Sequence, residues 1–111
     1  MIDISNYDTL IVPFFVVVGI YSGECHDPEG DDLGGSKKEI GKEERDYTSK
    51  GQRARRTRCL LKCMKVKGAT GCELESKRGY DYCYVHTGSV AQGSGSRRDT
   101  DRCWKFASIR V

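Results

Sequence analysis

The chain has 111 residues, of which 37% are hydrophobic and 32% charged, with six cysteines and a formal net charge of +3. A chain of this length forms at most one domain with a modest core, which excludes a multidomain enzyme. Much of the aliphatic content lies in one block near the N-terminus, so the remainder needs cross-links or a similar constraint to hold a fold.

The apolar block covers residues 10–21, with the sequence LIVPFFVVVGIY. It is too short for a membrane-spanning helix of about 20 residues and matches a signal-peptide core of about 7–15 residues. Small residues at Ser22 and Gly23 offer cleavage positions. The preceding segment holds Asp3 and Asp8 and no basic residue, which leaves a buried strand as the alternative. We predict a signal peptide over residues 1–22 and a secreted, extracellular protein.

The next segment is acidic. Residues 24–46 carry nine acidic and four basic side chains, a net charge of −5, whereas residues 47–111 carry a net charge of +10. The acidic stretch is rich in glycine and shows no periodic apolar face, which is typical of flexible chain. We predict a flexible arm or pro-segment over residues 23–56.

This arm ends in the basic sequence Arg53-Ala54-Arg55-Arg56, the form that subtilisin-like processing proteases cut. An acidic pro-segment that masks a basic product would explain the difference in charge between the two segments. Cleavage after Arg56 would leave five cysteines in the product. Cys25 would then tether the pieces, or its removal would permit a disulfide-linked dimer. The alternative is an uncut, solvated basic stretch that leads into a helix.

Residues 57–111 form the predicted folding unit, because they hold five of the six cysteines. Strong helix formers without Pro or Gly predict a helix over residues 54–67. Cys59 and Cys63 are then at positions i and i+4 and share one face of the helix.

Two strands with alternating residues follow the helix, residues 72–75 and 80–86, joined by a hairpin turn. Alternation in the second strand places Tyr82 and Tyr84 on the face opposite Cys83. A helix facing a cysteine-bearing hairpin predicts a small disulfide-rich α+β fold, with one helix packed on a short antiparallel sheet.

The cysteines form an even set outside the predicted signal, which in a small secreted chain indicates a disulfide framework. Six cysteines allow fifteen connectivities, which spacing does not distinguish. The predicted disulfide residues are Cys25, Cys59, Cys63, Cys72, Cys83 and Cys103.

The series Cys59-x3-Cys63-x8-Cys72-x10-Cys83, with residues 79–84 reading GYDYCY, resembles the knottin-like cysteine-stabilised αβ scaffold. Within that scaffold residues 58–104 are most similar to the long-chain scorpion sodium-channel toxins and the lipolysis-activating peptides. In that family the helical C-x3-C pair bridges to a C-x-C pair on the last strand. The resemblance therefore implies a Cys59–Cys83 bridge and a closing bridge made by Cys103.

The chain departs from this family pattern in the last strand, where Val85 replaces the second cysteine of the C-x-C pair. Cys63 then lacks its usual partner. Extending the resemblance, we predict Cys25–Cys72 and Cys63–Cys103 bridges, with Cys25–Cys103 as the main competitor. A bridge from Cys72 to either helix cysteine would contradict the scaffold.

The resemblance implies a toxin-like ligand of a membrane protein, with a voltage-gated sodium channel as target. Aromatic and basic residues are the usual energetic anchors of such faces. The predicted target-binding residues are Tyr80, Tyr82, Tyr84, Trp104 and Lys105. The alternative is a cationic host-defence peptide, similar to invertebrate defensins and macins, whose basic half is drawn to an anionic membrane surface.

Other chemistries are less well supported. Cys25-His26 and Cys83-x2-His86 resemble zinc ligands, but neither pair has a second pair at finger-like spacing, and oxidised sulfurs do not bind metal. A stapled unit of this size leaves little room for an activated thiol in a catalytic pocket. No RNP-type or helix-turn-helix motif is visible. We predict no enzyme activity, no cofactor, no metal and no nucleic-acid partner.

Overall fold

The computed structural model describes residues 15–30, 36–95 and 100–108. Five strands form one antiparallel sheet in the order β1-β7-β4-β5-β3, and β2 and β6 form a separate two-stranded pair. No helix in the described ranges is long and apolar enough to cross a membrane. The elements in chain order are β1 (Phe15–Ser22), β2 (Cys25–His26), β3 (Lys37–Glu44), α1 (Ser49–Met64), β4 (Gly71–Lys77), β5 (Tyr80–His86), β6 (Gln92–Gly93) and β7 (Arg102–Ser108).

The helix begins where Thr48 caps it. The Thr48 hydroxyl accepts a hydrogen bond from the Gly51 N–H at 2.9 Å, which satisfies one of the unpaired donors of the first turn. The helix ends at Met64, and Gly68 adopts a positive φ of 81° in the following turn. The predicted helix is confirmed, with its start and end each a few residues nearer the N-terminus than the sequence indicated.

The predicted hairpin is also confirmed. β4 and β5 pair directly, and the turn between them has positive φ at Arg78 and Gly79, as the two-residue hairpin turns that match strand twist require. The core lies between α1 and one face of the sheet. Its buried members are Cys59, Cys63, Ala69, Cys72, Leu74, Cys83, Val85, Trp104 and Phe106.

Three disulfides staple these elements, so the chain is a small disulfide-rich α+β protein. The Cys59–Cys83 bridge is confirmed, and Cys25 pairs with Cys103 as the competing prediction had it. The predictions of Cys25–Cys72 and Cys63–Cys103 are wrong, because Cys63 is bonded to Cys72.

The Cys63–Cys72 bridge has a simple geometric reason. β4 lies between β5 and β7, so the side of the sheet facing α1 offers cysteines on two neighbouring strands. Cys59 bonds to the strand β5 and Cys63 to the strand β4. The family pattern sends both helix cysteines to one strand, so the Cys63–Cys72 bridge is the pairing that contradicts the expected cysteine-stabilised αβ scaffold, and only the coarser α+β fold is confirmed.

The prediction of a flexible acidic arm over residues 23–56 is wrong for most of that range. β3 pairs with β5 along its whole length, from Lys37 opposite His86 to Glu44 opposite Tyr80. Sequence periodicity gave no sign of it because an edge strand needs no continuous apolar face. Residues 31–35 of the arm lie outside the described residues.

The predicted signal peptide overlaps β1, while its residues 1–14 lie outside the described residues. β1 pairs with β7 at seven positions, with an irregularity between Val17 and Gly19, and forms the other edge of the sheet. The intact chain therefore uses this segment as a strand, and signal cleavage stays a prediction. Three of its aliphatic side chains are exposed, Val16 by 41%, Val18 by 55% and Ile20 by 65%.

The predicted processing sequence lies in the middle of α1, where Arg55 is buried. Arg55 Nε donates to Asp81 Oδ2 at 2.6 Å and its Nη1 to Asp46 Oδ1 at 2.9 Å. Hydrogen bonding to Arg55 and to the Thr48 backbone lowers the pKa of Asp46 to about 2. A protease would have to unwind the helix and break the buried pair before it could bind this sequence.

We therefore expect the folded, oxidised chain to resist a subtilisin-like processing protease at Arg56. A protease reaches this sequence only in molecules whose helix has locally opened, so an opening free energy of about 3 kcal/mol slows cleavage by roughly 100-fold. Mass spectrometry of timed digests of the oxidised and the reduced, unfolded chain measures this ratio. Equal rates for the two forms would show that the helix does not protect the site.

Candidate binding face on the open side of the sheet

Three tyrosines form a row along β5 on the sheet face opposite α1. The ring centroids of Tyr80 and Tyr82 are 6.5 Å apart, and those of Tyr82 and Tyr84 are 6.4 Å apart. The second pair is stacked, with 18° between the ring planes. These separations lie in the range of favourable aromatic pairs, so each ring limits the motion of the next.

Lysines from both flanking strands cover this row. Lys42 of β3 lies 4.4 Å from the centroid of Tyr80, and Lys77 of β4 lies 5.0 Å from that of Tyr82. Lys37 of β3 lies 4.1 Å from the centroid of Tyr84. These are cation–π distances. We call this surface the Tyr–Lys face, defined by Lys37, Lys42, Lys77, Tyr80, Tyr82 and Tyr84.

A buried ionic cluster anchors one end of the Tyr–Lys face. Glu73 is fully buried and its Oε2 lies 2.8 Å from the Nζ of Lys37. Its other oxygen, Oε1, accepts the backbone N–H of Cys25 at 2.9 Å and lies 3.0 Å from Nε2 of the buried His86. Because Glu73 is surrounded by donors, Lys37 is held in place over Tyr84.

The cluster holds its charges at neutral pH. Burial alone would raise the pKa of Glu73, but hydrogen bonds from His86, Lys37 and the Cys25 backbone lower that pKa below its usual value. Burial alone would lower the pKa of Lys37, and its contacts with Glu73 and Glu75 raise that pKa above its usual value. The carboxylate and the ammonium therefore remain ionised together.

His86 donates through Nε2, because the Glu73 carboxylate can only accept. Within the described ranges its Nδ1 has no hydrogen-bond partner. Three groups of side chains in the described ranges are close enough together to suggest metal ligands, and two of them include cysteines that are bonded in disulfides. Those sulfurs are not thiolates, so neither of the two groups is a metal site in the oxidised chain. The third group consists of the carboxylates of Glu24, Glu73 and Glu75, and Lys37 already pairs with the last two.

The structure brings together the three tyrosines among the five residues predicted to bind a target, places Lys105 on the same side of the sheet two strands away, and places Trp104 on the opposite side. Trp104 lies on the side of the sheet that faces α1, opposite the tyrosine row, and is only 5% exposed. Lys105 pairs with Gly71 of β4, which pairs in turn with His86 at the end of the tyrosine row. Adjacent residues of a strand face opposite sides, so Trp104 and Lys105 cannot share one face.

Sequence reasoning missed the lysines of the Tyr–Lys face. Lys37 and Lys42 lie in the segment that was predicted to be flexible, and nothing local signalled its pairing with β5. Lys77 could have been found, because a two-residue hairpin turn places it opposite Tyr80 in the register of the strands.

No family model, curated protein or solved structure matches this chain. The Tyr–Lys face must therefore be interpreted from its own chemistry. It is an aromatic surface whose lysines are in part paired with the carboxylates of Glu73 and Glu75, and such a surface is suited to docking on another macromolecule.

Proposed function

We propose that this protein is a secreted binding module whose Tyr–Lys face docks on the extracellular part of a membrane protein. The observation that carries the proposal is the ordered row of Tyr80, Tyr82 and Tyr84 with lysines over each ring. Tyrosine supplies a large contact area and a polar hydroxyl for little conformational entropy, and it is enriched among binding hot spots.

Pre-organisation supports tight binding by so small a face. The three tyrosines belong to β5, which is paired with β3 on one side and with β4 on the other. Cys83 in the same strand is bonded to α1. Docking therefore immobilises few side chains that were free beforehand, which reduces the entropy lost on binding. Intramolecular disulfides are consistent with an extracellular setting.

The exposed apolar residues favour protein docking over membrane binding by this face. Among the described residues, the exposed large aliphatic side chains are three in β1 and Leu61 in α1, and none belongs to the Tyr–Lys face. A membrane-active surface needs a contiguous apolar patch beside its positive charge. The host-defence alternative is supported only by β1, with Val16, Val18 and Ile20, and it requires that this strand remain in the mature protein.

A voltage-gated sodium channel is the first target to test, because the resemblance to the scorpion toxins implies it. The Cys63–Cys72 bridge contradicts that family's scaffold, so the proposal depends on the Tyr–Lys face and not on the scaffold. The broader claim of a membrane-protein ligand does not require this particular channel.

The test compares Tyr82→Ala with Tyr47→Ala. Tyr82 contacts both other tyrosines and two lysines, whereas Tyr47 is 72% exposed and lies outside the face. We expect the wild-type chain to alter sodium-channel currents, and Tyr82→Ala to weaken the effect by about 30-fold, the loss of a hot spot of about 2 kcal/mol. Tyr47→Ala should act as the wild type does.

Protease-treated cells and anionic vesicles provide the remaining arms of this test. If no channel responds, labelled protein should still bind intact cells, and trypsin treatment of the cell surface should abolish that binding. Binding that survives trypsin, or equal binding by Tyr82→Ala, would overturn the proposal. Release of dye from anionic vesicles at micromolar protein would instead favour the host-defence function.

A further inference from the structure

The strand β3 is an open edge of the five-stranded sheet. It pairs with β5 on one side, and within the described ranges no strand pairs with its outer side. An open edge presents unpaired N–H and C=O groups that can accept a further strand. Six of the eight residues of β3 are charged, with the sequence KKEIGKEE. The order of these charges therefore decides which strand can pair with this edge.

The outward backbone groups of β3 can be identified from the hydrogen bonds at its two ends. The Arg45 N–H donates to the Gly79 carbonyl at 2.9 Å, and the Thr87 N–H donates to the Ser36 carbonyl at 3.2 Å. The backbone of residues 36 and 45 therefore points towards β5. Direction alternates along a strand, which leaves the N–H and C=O groups of residues 37, 39, 42 and 44 pointing away from β5.

A β-bulge keeps these outward residues on one face of the sheet. Glu39 lies opposite Tyr84 and Lys42 opposite Tyr82, so three positions of β3 span two positions of β5. Residues that lie opposite each other in an antiparallel pair share a face, so Glu39 and Lys42 are both on the tyrosine side. Because of the bulge, Glu39 of one copy can lie opposite Lys42 of a second copy with both side chains on the same face.

The charges of β3 are self-complementary about this bulge. Two copies can run antiparallel about a twofold axis between Ile40 and Gly41, and every charged residue then meets the opposite charge. The facing pairs in this register are Lys37 with Glu44, Lys38 with Glu43, Glu39 with Lys42, and Ile40 with Gly41. A shift by one residue in one direction places Lys38 opposite Lys42. A shift in the other direction places Glu39 opposite Glu43, and like charges directly opposite each other are destabilising.

The central charges are available for such a contact. Lys38, Glu39 and Glu44 are exposed, and none of them forms an ion pair with another described residue. Lys42 is also exposed, and its ammonium lies over the ring of Tyr80. The contact of Glu39 with Lys42 therefore adds an ion pair without breaking one within either copy.

We infer that β3 pairs with β3 of a second copy of this chain, which gives a symmetric dimer and joins the two sheets into one. The twofold axis is perpendicular to the joined sheet, so both Tyr–Lys faces lie on the same side of it. A charged edge disfavours other strands, and the order of these charges selects a second copy of the same strand. The interface contains no residue before Lys37, and the inference does not rest on the proposed function.

Sedimentation equilibrium of the full oxidised chain measures this association. We expect a dissociation constant of about 10–100 µM, because an interface of one edge strand is small. Glu39→Lys and Lys42→Glu should each weaken the dimer at least about tenfold, because the twofold axis turns each replacement into two like-charge contacts. The matched controls are Glu29→Lys and Lys67→Glu, at exposed positions outside β3. They should change the dissociation constant by less than about threefold.

Mixing the two variants tests the register. In a heterodimer of the Glu39→Lys and Lys42→Glu chains both contacts again join opposite charges, so the mixture should associate within about threefold of the wild-type affinity. Carbodiimide treatment of mixed isotope-labelled and unlabelled wild-type chains should link Lys42 of one copy to Glu39 of the other. A chain that stays monomeric up to about 500 µM would overturn the inference. So would a dimer that both variants leave intact, such as one formed through β1, or variants that fail to associate when mixed.

Discussion

Replacing Cys25 and Cys103 together with alanine is expected to reduce the free energy of unfolding by about 4–5 kcal/mol, as loop-closure entropy predicts for residues 78 positions apart. Loss of this magnitude equals much of the net stability of a small domain. Both side chains are fully buried, so alanine introduces no unpaired polar group. The bridge also fixes the Cys25 backbone N–H that donates to Glu73.

The matched control is the double replacement of Cys63 and Cys72 with alanine. Their separation is only 9 residues, for which the same relation gives about 2.5 kcal/mol. Urea denaturation of the two variants measures both values under one set of conditions. A loss for the Cys25 and Cys103 variant equal to or below that of the control would contradict the role assigned to the long bridge.

Replacing Glu73 with glutamine is expected to reduce the free energy of unfolding by about 3 kcal/mol, because it leaves the largely buried Lys37 ammonium without its nearest carboxylate. Glutamine keeps the shape of the side chain and an acceptor for His86. It cannot neutralise Lys37, which should then leave its position over Tyr84. Glu75→Gln is the control, because Glu75 lies farther from Lys37, at 3.4 Å, and is less buried.

The same variant should change the pH dependence of stability. The pKa of Glu73 is lowered below its ordinary value of 4.5 in the folded chain, so its ionised form stabilises the fold. That contribution is fully present above about pH 4.5 and is lost as the pH falls through the lower, folded pKa. Thermal melts between pH 2 and 7 should show a steeper acid loss for the wild type than for Glu73→Gln. Parallel curves would contradict the assignment.

Local features of the fold could be predicted from the sequence. The helix follows from an uninterrupted run of helix formers, and the turn at Arg78 and Gly79 follows from the two strands around it. Alternation alone was enough to place Tyr82 and Tyr84 on one face. These signals depend on residues only a few positions apart, which is why they could be recognised in the sequence.

The two edge strands could not be predicted in the same way. β3 consists largely of charged residues, and its partner β5 lies some 40 positions later in the chain. β1 looks like a signal peptide because an apolar strand and a signal-peptide core have the same composition. Since strand order determines which cysteines meet, the Cys63–Cys72 bridge could not be deduced either.

The pre-organised Tyr–Lys face requires β5 to be bonded to α1 and paired within this sheet, so the disulfide map tests it. Trypsin cuts between every pair of successive cysteines, because Lys or Arg lies in each interval. Mass spectrometry of the non-reduced digest should show linked peptides for three pairs, Cys25–Cys103, Cys59–Cys83 and Cys63–Cys72. Peptides linking Cys63 to Cys103 and Cys25 to Cys72 would contradict the fold and with it the Tyr–Lys face.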